Sequence, residues 1–111
     1  MGIQNWSEDV VLVDLPVEPQ LNDDLRATIE IVRDRGNCDV VVDFSHVDIV
    51  TSSSISALLK LQKMLTDCKC KLILCNVAAA TRSIFLVTGI EEIFEFVENK
   101  FLALASLQLV K

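Results

Sequence analysis

The chain has 111 residues, 51 % hydrophobic and 23 % charged, a composition that excludes a disordered segment and suits one domain over residues 1–111. Its net charge of −6 repels a nucleic-acid backbone, and its ten lysines and arginines are scattered rather than gathered into a stripe, so no nucleic-acid partner is expected. The longest apolar stretch, 101–110, is about half of the ~20 residues a membrane helix needs, and residues 1–7 carry neither a secretory nor a myristoylation pattern, which predicts a cytoplasmic protein with no membrane insertion.

Residues 3–6 and 10–15 read as two strands around the polar Ser7-Glu8-Asp9 turn, forming the antiparallel edge of a sheet. Pro16 and Pro19 end the second strand in an extended connection. A helix follows over 20–35, with Leu21, Leu25, Ile29 and Val32 in one stripe and Asp23, Asp24, Arg26, Glu30 and Arg33 largely opposite; Gly36-Asn37 stops it. Val40, Val41, Val42 and Phe44, broken only by Asp43, form a strand of the kind buried on both faces. A loop of residues 45–50 then leads into Thr51-Ser52-Ser53-Ser54 and a helix running to about residue 66. Ala57, Leu58, Leu61 and Leu65 are its core stripe. Ile55 and Leu59 lie to the side near the serine end, where they either make a docking edge or pack under a neighbouring element.

Residues 71–75 are a further buried strand, parallel to the previous one if the helix between them makes a right-handed crossover. A helix over 79–87 ends at Thr88-Gly89, a short edge strand surrounds Phe94-Glu95-Phe96, and a last helix covers 98–109. That helix is apolar almost all round, so either the sheet covers much of it or a second copy of the chain does, as a homodimer. The expected architecture is a small α/β domain bordering on α+β, with a mixed sheet of four or five strands and about four helices.

Catalytic chemistry finds few residues to use. Cys38, Cys68, Cys70 and Cys75 contain one Cys-x-Cys and no second pair at ligand spacing, so no metal is expected; Cys75 reads as a small buried hydrophobe and the others as reduced thiols beside turns. His46 is the only histidine, and three glycines cannot build a phosphate cradle, so neither an enzyme nor a cofactor is expected. Asp43 and Asp48 lack a further acidic partner at a catalytic spacing and serve to hydrogen-bond the turn, while Arg82 suits a helix-surface ion pair.

The hydroxyl cluster is the exception. One short hydroxyl side chain is enough to cap a helix, and four in a row past the carboxyl end of a central strand point to phosphate chemistry or partner docking. The stretch Asp43-Phe44-Ser45 through Asp48, then Thr51-Ser52-Ser53-Ser54 and Ile55-Ser56-Ala57-Leu58-Leu59, resembles the signature of STAS domains, the anti-sigma-factor antagonist family. Phe85-Leu86-Val87-Thr88-Gly89-Ile90, followed by Phe94, is similar to a second segment of that family. Thr51 replaces the acidic residue of the signature, and Ser54 and Ser56 replace two glycines.

The resemblance implies an antagonist that binds an anti-sigma factor serine kinase and is switched by phosphorylation at Ser53, with Ser52 and Ser54 as alternates. It further implies a partner-binding surface of Glu18, Asp48, Thr51, Ser52, Ser54, Ile55, Ser56 and Leu59. The other function it implies is an unphosphorylated scaffold, a signalling-complex subunit, or an accessory to a lipid transporter.

Overall fold

The computed structural model describes residues 2–110. Five strands form one sheet in chain order: β1 (Gly2–Asn5), β2 (Val10–Asp14), β3 (Asp39–Asp43), β4 (Leu72–Cys75) and β5 (Glu95–Val97). β1 runs antiparallel to β2 and the remaining pairs are parallel. The helices are α1 (Gln20–Arg35), α2 (Ser52–Asp67), α3 (Ala79–Val87) and α4 (Lys100–Val110), with a 3-10 turn at Glu91–Ile93. The expected mixed sheet is therefore present, with five strands and four helices.

This topology decides which face each helix covers. From β2 to β5 the chain always steps to the next position in the same direction, and right-handed crossovers then place α1, α2 and α3 on one face. Side chains alternate along each strand, and the core divides accordingly. Val11, Val13, Val40, Val42, Leu72 and Leu74 join Leu25 of α1, Leu58 of α2 and Phe85 of α3 in one cluster. Val10, Leu12, Val41, Ile73 and Cys75 face the other way, against Ala103, Leu104 and Leu107 of α4. Covering both faces explains why the central strands read as unbroken apolar runs.

The α1 stripe of Leu21, Leu25, Ile29 and Val32 is buried as its spacing predicts, and Gly36 ends the helix at φ 76° with its N–H on the Val32 carbonyl. α4 begins at Lys100, later than expected, because Asn99 supplies the cap: its Oδ1 accepts the Leu102 N–H at 3.0 Å. The sheet covers one side of α4 and leaves Phe101 76 % and Leu102 50 % exposed. β1 ends one residue early, leaving Trp6 outside the sheet, and β5 starts after Phe94, which is buried in the preceding turn. All four cysteines are free thiols, Cys38 inside the core, and burial pushes the Cys75 thiol up to about 12. Among the described residues no helix is long and apolar enough to cross a membrane, and no group of side chains has metal-site geometry.

Candidate functional site

The carboxyl ends of β3 and β4 release two loops that Asp43 ties together. Its Oδ1 accepts the Ser45 N–H at 2.9 Å, the Ser45 hydroxyl, and the Asn76 amide at 3.0 Å. Burial pushes the Asp43 carboxyl up, but the bonds from Ser45 and Asn76 outweigh it and hold the group below its ordinary value. Asn76 adopts φ 56°, a left-handed conformation that asparagine tolerates better than most residues. Within the loop, Phe44, Val47 and Val50 are buried anchors, so His46, Asp48 and Ile49 face solvent. Ile49 is 70 % exposed, and the sequence alone did not single it out.

The hydroxyl cluster then divides by position. Thr51 is the N-cap of α2, in extended conformation, and its Oγ1 accepts the Ser54 N–H at 3.2 Å. Ser54 is fully buried and donates its hydroxyl to Glu18 Oε2 at 2.6 Å. The same oxygen accepts the Thr51 N–H and the Thr51 hydroxyl, each at 3.1 Å. Glu18 thus reaches from the β2–α1 connection, where its bond to Pro19 is cis, and laces that connection to the start of α2. Burial pushes its carboxyl up, yet the Ser54 hydroxyl, Thr51 and the Asn22 backbone together hold it below the usual value.

Ser52 and Ser53 are exposed. Ser53 Oγ accepts the Asn22 Nδ2–H at 2.6 Å, and Asn22 Oδ1 in turn accepts Arg26 Nε–H at 2.8 Å. Ser56 is exposed on the next turn, whereas Ile55 and Leu59 are half-buried against the main core. Asp48 stays on the loop surface, and among the described residues no hydrogen bond ties it to the cluster. Asn22 is the participant that sequence reasoning missed. Its signal is the spacing of Asn22 and Arg26, four apart on one face of α1.

This arrangement limits the chemistry. The partner of the Ser53 hydroxyl among the described residues is an amide donor, which cannot accept its proton and so does not activate it as a nucleophile. The second motif window serves packing: Phe85 is fully buried with its ring centroid 5.5 Å from Phe94 and 5.8 Å from Phe96. Arg82 lies 4.2 Å over the Phe96 ring and 3.4 Å from the Glu91 carboxylate, the surface pairing expected of it.

The family model of the STAS domain matches residues 13–104. No curated protein matches the sequence. The fold is similar to an anti-sigma-factor antagonist (STAS) domain protein from Planctomyces limnophilus, with a TM-score of 0.82 at 19 % identity over 97 % of this chain and 99 % of that one. It is similar to the anti-sigma factor antagonist SpoIIAA in its unphosphorylated form, with a TM-score of 0.76 at 16 % identity over 96 % of each chain. The phosphorylated form of Bacillus SpoIIAA gives 0.69 at 16 % identity over 98 % of this chain and 97 % of that one. A sulfate transporter family protein from Wolinella succinogenes gives 0.73 at 15 % identity over 91 % and 84 %. At such identities the likeness is one of fold.

Proposed function

The chain belongs to the STAS domain family, and on that premise we propose that it is an anti-sigma factor antagonist-like regulator that binds an anti-sigma factor serine kinase and is switched by phosphorylation at Ser53. The observation that carries this reading is the division of labour at the start of α2. Thr51 and Ser54 complete the cap and the Glu18 clamp, leaving the Ser53 hydroxyl on the surface. The phosphorylated form of SpoIIAA, a protein of similar fold, supports the same reading.

The switch acts on association. A phosphate adds about −1.5 to −2 charges at a helix start, where the peptide dipoles tolerate it, so the fold survives. A partner surface meeting that dianion on a chain of net charge −6 loses docking energy, and a loss of about 3 kcal/mol weakens binding roughly a hundredfold.

The test uses the cognate kinase and ATP. Label is expected on Ser53 and is abolished by Ser53→Ala, while Ser53→Asp binds the kinase about a hundredfold more weakly than the parent chain. Equal affinity of Ser53→Asp and the parent refutes the switch. Tight binding with no label at all favours a STAS scaffold or transporter accessory instead.

A further inference from the structure

The groove between α1 and α2 adjoins the hydroxyl cluster, and its charge opposes that of the molecule. Arg26, Glu30 and Arg33 line it from α1, and Ser56 and Lys60 from α2. Arg33 binds Glu30 through both carboxylate oxygens, at 3.0 and 2.9 Å. Among the described residues neither Arg26 nor Lys60 is paired with a carboxylate, although the chain has sixteen acidic residues to ten basic ones. The groove therefore offers two uncompensated cations, one on each wall.

Arg26 is also already connected to Ser53. Its Nε donates to Asn22 Oδ1 at 2.8 Å, and Asn22 Nδ2 donates to Ser53 Oγ at 2.6 Å. A single amide group separates the hydroxyl from the guanidinium. The two terminal guanidinium nitrogens make no hydrogen bond among the described residues, which leaves the fork that grips oxyanions available.

We propose that α1 holds the phosphate of phosphorylated Ser53 within the same molecule: Arg26 binds the phosphate oxygens, Asn22 positions Ser53 and Arg26 for that contact, and Lys60 faces it from α2. This rests on Ser53 being the modified residue. In the transfer itself the Oγ–phosphorus bond forms, the bond from the γ-phosphorus of ATP to the ADP oxygen breaks, and the hydroxyl proton goes to a base of the kinase. The product places three acceptor oxygens beside the Asn22 amide, one group away from the guanidinium. The phosphate is then bound across the α1–α2 groove, and whatever removes it has to displace Arg26 first.

The test installs phosphoserine at position 53 during translation, so it needs no kinase, and follows the phosphate by 31P NMR titration. The charged groups on the elements that flank it are Arg26 and the Arg33–Glu30 pair from α1, Lys60 from α2 and Glu18 from the connection before α1, with Asp48 on the loop before the cluster. Replacing Arg26 by Gln is expected to raise the second ionisation of the phosphate by about half a unit or more, roughly a threefold gain in proton affinity. Identical titrations of Arg26→Gln and the parent overturn the proposal. A rise confined to Lys60→Gln also overturns it, by moving the contact to α2. A kinase that fails to label Ser53 refutes the proposed function and leaves this result standing, because the phosphate was placed independently.

Discussion

Ser53 and Ser54 are adjacent residues of the same type with opposite surroundings, and helix phase accounts for the difference. Ser54 continues the stripe of Leu58, Leu61 and Leu65 back by one turn and so points into the core, while Ser53 sits at its flank facing Asn22. A hydroxyl that is buried has to find a partner, and Glu18 is that partner. Ser54→Ala removes a buried bond to a charged group and is expected to cost about 2 kcal/mol in urea unfolding. Ser53→Ala, on the surface, is expected to stay within about 0.5 kcal/mol of the parent. The reverse ranking would mean that the exposed and buried hydroxyls have been assigned the wrong way round. The same phase argument was available from the sequence, but four consecutive hydroxyl residues hid it, because a buried serine does not register in a hydrophobic pattern.

Among the elements, those with one clear apolar stripe were legible and those without were not. α1 matched its predicted span because Leu21, Leu25, Ile29 and Val32 recur at helical spacing and Gly36 marks the end. The face that α4 buries was hidden by its apolar residues on all sides, and only the sheet selects Ala103, Leu104 and Leu107. The link between the β2–α1 connection and α2 was hidden for another reason: Glu18 and Ser54 are 36 residues apart, and local patterns carry nothing across that distance. The Phe85 window was visible as a motif, yet its role emerges only once α3, the 3-10 turn and β5 come together around one ring. Truncating that ring leaves a cavity lined by Phe94 and Phe96, so Phe85→Ala is expected to cost about 3–5 kcal/mol in urea unfolding. A loss under 1 kcal/mol would show that these three elements do not share a packed core.

For the molecule as a whole, two carboxylates brace the loops at the carboxyl end of the sheet, and both titrate below their ordinary values, 4.5 for Glu18 and 3.8 for Asp43. The sign follows from linkage. A carboxyl whose pKa is depressed by folding contributes stability that is fully present above its unfolded value and is lost as pH falls through its native one. From pH 7 to about 5 these two groups therefore leave stability unchanged, and below about 4 each must take up a proton that the native bonds resist. The thermal midpoint is expected to be level over the first interval and to fall over the second. Because Glu18 holds Thr51 and Ser54 while Asp43 holds Ser45 and Asn76, the contacts that these two carboxylates lose in acid lie at the same end of the sheet as the proposed phosphoacceptor. Replacing Glu18 by Gln and Asp43 by Asn removes both titrations at once. The double variant should be less stable at pH 7 but lose less on acidification, so its curve of midpoint against pH should converge on that of the parent. Two parallel curves would show that acid unfolding begins elsewhere in the protein.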